Sequence, residues 1–312
     1  MKAAKRFAEF IILLLVIGAA LYTQRGFIRD WIAVQLQPPL PQEITFKEVS
    51  ESEYVQDVLF LESWRTNTVG TKEEDGSDEY VVLDENSDTE EVTDEYVDTE
   101  VIVAELNDET ELPVHELELP VEINLAIPFT SQAPKADWDA PYQEACEEAS
   151  FYMVHQYYES KPSGIIDVDK ANEDLASIVS FEEETLGYGE SITAKQTAVL
   201  IEDLYKYNRV DVLEDPTIED LKGHLAEGRP VIVPAAGREL GNPNFQTPGP
   251  LYHMLVLRGY TSRGQFITND PGTRNGKEYV YDFDTIMDAM HDWNEEDDIS
   301  LGAKRVLVIY PN

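Results

Sequence analysis

Cys146 is the only cysteine among 312 residues, and it opens the amphipathic stretch EACEEASFYMVHQYY just after the turn-like DAPYQ. Far downstream, His253 heads the apolar run in GPLYHMLVLRGY, and Asp270 lies in the turn sequence ITNDPGT. A cysteine at a helix start, with a histidine and an aspartate later in the chain, has the make-up of a thiol acyl-transfer site. A helix N-terminus favours the thiolate, the form of cysteine that attacks. Glu144, Glu147 and Glu148 act against it, which leaves most of the activation to a nearby imidazolium.

The other four histidines fit less well. His115 lies in an acidic tract. His155 is nine residues along the cysteine's own helix, ~13.5 Å down the axis and on the opposite face. His224 sits off the apolar stripe of its helix, and His291 is near a helix end, where histidines often cap. His253 stands at a strand edge, rigid behind and open in front, after the loop PNFQTPGP. Asp270 follows the next strand by one hairpin, so adjacent antiparallel strands bring it to Nδ1 of His253. There a carboxylate fixes the tautomer and stabilises the imidazolium. Pro271 holds Asp270 extended. Blander readings are a buried filler thiol, a strand-end histidine exposed by chance, and N-D-P-G as turn chemistry alone.

The elements that must position these residues form one α+β domain over 121–312. INLAIPF reads as an entry strand, 145–158 as a helix, and VDKANEDLASIV as a helix capped by Asp169. TAKQTAVLIEDLYKY and TIEDLKGHLAEG make two more helices, the second ended by Gly228. Strands follow: RPVIVPAA, LYHMLVLRGY, GQFITND, KEYVYD and AKRVLVIYP. Helices first and strands afterwards give an N-terminal helical part carrying the cysteine and a C-terminal antiparallel sheet carrying the histidine and aspartate.

Two further regions precede this domain. Residues 1–30 place Lys2, Lys5 and Arg6 before an apolar run from Phe10 to Tyr22. That pattern reads as a signal anchor with the rest of the chain outside, or as a cleaved export signal. The expected location is therefore the cell membrane, single-pass with the domain extracytoplasmic, or secreted if the segment is removed. Residues 31–120 read as an acidic, largely disordered stalk, broken by PPLPQ at 38–42. Net charge is −39, and residues 71–120 hold 20 acidic residues against one lysine. That acidity excludes nucleic-acid binding, which needs a basic face, and limits membrane contact to the N-terminal segment. A lone cysteine in an exported chain closes no internal disulfide, which keeps a reactive role open. One cysteine and scattered histidines exclude the usual structural zinc. Asp167, Asp169 and Glu173 read as a capped helix start, not a calcium loop.

IPFTSQAPKADWDAPYQEACEEASFYM, followed by GRPVIVPAA, LYHMLVLRGY and ITNDPGT, resembles the double-glycine, bacteriocin-processing cysteine peptidases, family thirty-nine, in stand-alone form. The resemblance covers 123–312 and implies a papain-like fold, no cofactor and a peptide or protein substrate. It implies Cys146 as nucleophile, His253 as base and Asp270 as orienter. It also implies a glutamine in the oxyanion hole, matched best by Gln132, with Gln143 as the alternative. The family usually has Gly directly after the cysteine, where this chain has Glu147. The expectation is a membrane-tethered cysteine peptidase. Its rivals are other thiol acyl-transfer or amidase chemistry on cell-wall peptides, and a non-catalytic peptide-binding module on a stalk.

Overall fold

A computed structural model describes residues 39–68, 118–187, 191–294 and 298–312. The expected anchor at 1–30 and the acidic stretch 71–117 lie outside these residues. Among the described residues, no helix is long and apolar enough to cross a membrane.

The domain is α+β, with every pair of neighbouring strands antiparallel. Its sheet runs in the order β2 (Arg209–Glu214), β7 (Arg305–Tyr310), β3 (Val231–Ala236), β4 (Tyr252–Thr261), β5 (Gln265–Asn269) and β6 (Lys277–Asp282). β4 is buried along its whole length, because it is central in the sheet and covered on its faces; its run of Met, Leu, Val and Tyr suits that place. β3 pairs Tyr252–Leu257 on one edge of it. The short strand β1 (Ile123–Asn124) continues that edge opposite Gly259 and Tyr260. A Cβ at Gly259 would lie 2.1 Å from the Ile123 carbonyl oxygen, so only glycine admits β1 here. Pro234 in β3 gives its carbonyl to the His291 N–H at 3.1 Å. Its missing donor therefore faces away from β4, where the ladder does not need it.

Helix α3 (Cys146–Tyr158) packs on β4 and is buried almost all round; the Ser150 hydroxyl donates to the Met254 carbonyl at 3.2 Å. α4 (Val168–Leu186), α5 (Ala194–Tyr205) and α6 (Ile218–Ala226) follow as expected. Several details differ from the reading of the sequence. Asp167, not Asp169, caps α4, accepting from the Lys170 N–H. The entry segment is regular strand only at Ile123–Asn124. β2, whose side chains are mostly half-exposed, was not foreseen, while the helix expected to end near His291 is α7 (Phe283–Ala289).

The largest difference lies ahead of residue 121. Part of the expected stalk forms helices α1 (Phe46–Ser50) and α2 (Glu53–Thr68). Thr45 and Glu48 close a reciprocal cap at the start of α1, while Val49 and Val55 are buried in the domain's core. Ile44 bridges Leu125. Arg258, fully buried on β4, binds Asn124, Leu125, Ile127 and Asn269, and pairs with Glu43 at 2.5 Å. A guanidinium removed from water needs such acceptors, and one of them comes from residue 43. The described residues of the domain accordingly begin ahead of residue 121, at Gln42.

Candidate active site

The sheet register sets the histidine and the aspartate side by side. His253 pairs with Ala235 on β3, and Asn269 pairs with Val256 on β4. One further step puts Asp270 opposite Leu255, two residues along β4 from His253 and on the same face, a diagonal that side chains can bridge. His253 Nε2 meets Asp270 Oδ1 at 2.8 Å. The expected contact was through Nδ1. Nε2 takes it instead, which leaves Nδ1 as the ring nitrogen not committed to the aspartate.

Asp270 is fully buried and accepts four donors. Besides the imidazole, these are Gly272 N at 3.0 Å, Asn242 Nδ2 at 3.0 Å and Tyr281 OH at 2.6 Å. Burial alone would raise its carboxyl's pKa. The charge and hydrogen bond of His253, with those from Tyr281 and Asn242, outweigh burial and hold it below the ordinary carboxylate range. Asn242 and Tyr281 also bond each other at 2.8 Å. Phe245 meets the imidazole edge-on, with ring centres 5.3 Å apart.

Cys146 starts α3, as expected, with no side-chain cap on that helix end. Its thiol is nearly buried and shares a cleft of about 730 Å³ with His253, Gln132, Gln143, Trp138 and Trp293. The helix terminus does not win electrostatically. Burial, then the charge and hydrogen bond of Glu147, push the thiol's pKa well up; the Met254 backbone N–H opposes them only in part. The thiol donates to Glu147 Oε2 at 2.9 Å. Glu147 is itself raised to about 8, chiefly by burial. Glu148 is also buried and raised, chiefly by burial, with the nearby Glu182 on α4 adding to it. Two carboxyls, Glu147 and Glu148, therefore lie near the sulfur, and burial keeps them from ionising freely.

Gln132 and Gln143 occupy different situations. Gln132 is buried, and its side-chain amide donates to the Tyr142 and Gln143 carbonyls at 3.0 and 2.9 Å. Its backbone N–H donates to the Pro271 carbonyl at 3.0 Å. It thus ties the turn after Asp270 to the segment leading into Cys146. Gln143 has an exposed side chain. The remaining described histidines are engaged elsewhere. His155 stacks on Tyr205 at 3.7 Å, His224 accepts from Arg229, and His291 contacts the Gly302 carbonyl. Among the described residues, no cluster of His, Cys, Asp or Glu has the arrangement of a metal site.

Sequence reasoning missed Asn242 and Tyr281 as parts of the site, and read Glu147 only as a charge acting against the thiolate. Only Glu147 carried a signal, a charged residue where the resembled family has glycine.

Solved structures similar to this chain include two peptidase-related ones. A C39-like peptidase from Bacillus anthracis is 16% identical over 61% of this chain and 98% of its own, with a TM-score of 0.40. A fragment of prointerpain A from Prevotella intermedia is 12% identical over 61% of this chain and 72% of its own, also with a TM-score of 0.40. No curated protein matches it. The model of the Peptidase_C39 like family matches residues 124–299, more than half of the chain and the whole of the cleft just described, and the chain belongs to that family.

Proposed function

We propose that the protein is a cysteine peptidase with a papain-like catalytic arrangement, hydrolysing peptide bonds through a thioester. Cys146 attacks the carbonyl carbon, and His253 serves as its acid–base partner. Asp270 fixes the imidazole, and Gln132 donates to the oxyanion together with the backbone at the start of α3. The observation that carries this reading is the hydrogen bond from His253 Nε2 to a buried, four-donor carboxylate, in a cleft that the only thiol also lines. Such a carboxylate stays ionised, so the imidazole can take up a proton beside it. For Gln132 to act, its amide must turn from the Tyr142 and Gln143 carbonyls towards the substrate. Gln143, on the cleft rim, is the alternative donor.

The basic-then-apolar N-terminus supports a membrane tether with the domain on the outer side. The reading takes peptide-bond hydrolysis from the family and no double-glycine specificity, since Glu147 replaces the glycine beside the nucleophile.

The test is digestion of a peptide library by the full chain, read by mass spectrometry. Cleavage is expected, with loss of it in Cys146→Ala. Cleavage that persists in Cys146→Ala, or a wild-type chain that neither cleaves nor forms an acyl adduct, refutes the proposal. Transfer of the acyl group to an added amine rather than to water would instead identify an acyltransferase.

A further inference from the structure

Among the described residues that line the cleft, Arg274 is the one arginine or lysine. Its side chain is exposed, and no described residue bonds to its guanidinium. Carboxylates are plentiful in this chain, with 62 acidic residues against 23 basic ones. Arg209, Arg258 and Arg305 each pair with one. Lys277, three residues after Arg274, pairs with both Glu43 and Glu278. Arg274 instead presents an uncompensated cation to the cleft.

Arg274 sits in the turn between β5 and β6, which is held at several points. The Asp270 N–H donates to the Gly276 carbonyl at 3.0 Å, and the Asn275 N–H donates to Thr273 Oγ1 at 3.2 Å. Asn275 Nδ2 donates to Asn244 Oδ1 at 3.0 Å, which ties the turn to the loop after β3. Gly272, in the same turn, lies against the imidazole of His253. Two residues of chain reach at most ~7 Å, so Arg274 stands on the imidazole's side of the cleft. A side chain on a fixed backbone leaves less freedom to lose on binding than one on a loose loop. Its guanidinium offers paired N–H groups that match a carboxylate.

The direction of the chemistry says which part of a substrate meets this cation. His253 gives its proton to the departing amine, so the residues after the scissile bond lie on the imidazole's side. Glu144 also lines the cleft, on the segment that leads into Cys146. A substrate carboxylate is drawn to Arg274 and repelled beside Glu144. The acidic surface as a whole matters less, because exposed charges beyond ~8 Å are screened at physiological salt. Resting on the peptidase reading above, we propose that Arg274 is a specificity-determining residue that binds a substrate carboxylate one or two residues after the scissile bond. An extended residue spans ~3.3–3.6 Å, so that position matches the reach of the turn from the imidazole. An Asp or Glu side chain and a free C-terminus supply the same chemistry there.

The test is digestion by the full chain of one peptide library made with free and with amidated C-termini. Mass spectrometry reads the residues after each cut. Asp and Glu should be enriched about fivefold or more at the first or second of these positions. Arg274→Gln should abolish the enrichment, and Arg274→Glu should replace it with Lys and Arg. Both variants should melt with the wild type, since Arg274 is exposed. Enrichment in both forms of the library identifies a side-chain carboxylate. Cuts only one or two residues from a free C-terminus, lost on amidation and in Arg274→Gln, identify the chain end. Cleavage with no preference for a carboxylate in either form, or a preference that survives Arg274→Glu, overturns the proposal and leaves the peptidase reading intact. If no bond is cut, that reading fails by its own test, and retention of the library on the immobilised Cys146→Ala chain decides this one. Stronger retention of acidic peptides that Arg274→Gln removes supports a carboxylate site, and equal retention overturns it.

Discussion

At Gly272 a single methyl group would disturb the site. A Cβ there would lie 2.8 Å from His253 Cε1 and 2.9 Å from Phe245 Cε1. The imidazole is wedged between β4 and this turn, and its only routes of escape lengthen the bond to Asp270 or push Phe245 into the cleft. Misplacing a catalytic group by ~1 Å can cost ~10²-fold. Gly272→Ala is therefore expected to lower kcat by about that factor while the domain still unfolds cooperatively; a variant with unchanged kcat would show that the ring can yield. The glutamines offer a second comparison. Losing one oxyanion donor costs ~10²–10³ in turnover, so Gln132→Ala should fall in that range and Gln143→Ala below about tenfold. Reversed effects would move the role to Gln143. That Cys146, His253 and Asp270 belong to one cleft region was legible in the sequence because few residue types suit thiol chemistry. Gly272, Asn242 and Tyr281 were not, because glycines, asparagines and tyrosines have many other reasons to be where they are.

At the scale of elements, the strands from β3 to β7 were legible because alternating or continuous apolar runs between turn residues have few other readings. β2 was not, since RVDVLE places charges between its apolar residues and its strand character depends on pairing with β7. The helices α1 and α2 were hidden by averaging. Residues 71–120 are so acidic that the whole span 31–120 took on their character, although Thr45 and Glu48 spell a capping box ahead of Phe46 and Val49. This matters for how the domain is cut. A chain beginning at residue 121 loses Glu43, exposes the pocket of Val49 and Val55, and leaves Arg258 short of an acceptor. Removing one partner of a buried pair costs ~3–5 kcal/mol. A chain beginning at residue 42 should therefore melt well above one beginning at 121, by calorimetry in one buffer. Equal melting temperatures would mean that α1 merely rests on the domain.

For the whole molecule, the net charge of −39 suggests a stability governed by surface repulsion, but the buried carboxyls give a different pH dependence. Glu147, Glu148 and Glu182 all have folded pKa values above those of an unfolded chain, mainly through burial. Such groups contribute stability that is complete below their unfolded pKa and is lost as pH rises through the folded one. His224 runs the other way. Burial and Arg229 lower it to about 4, so its contribution is present above ~6.5 and is lost as pH falls below that. The two effects oppose each other below about pH 6.5, but between ~6.5 and ~8 the carboxyls act alone. Surface carboxylates are fully ionised throughout that window, so repulsion among them hardly changes. The melting temperature of the full chain should thus fall as pH rises through it. One proton per pH unit is worth ~1.4 kcal/mol, or about 3–6 °C for a domain of this size. Because the groups are buried, added salt should leave the slope nearly intact, while Glu147→Gln should make it shallower. A melting temperature that is flat or rises across this window, or a slope abolished by salt, would mean that the three acids are not held neutral within the fold.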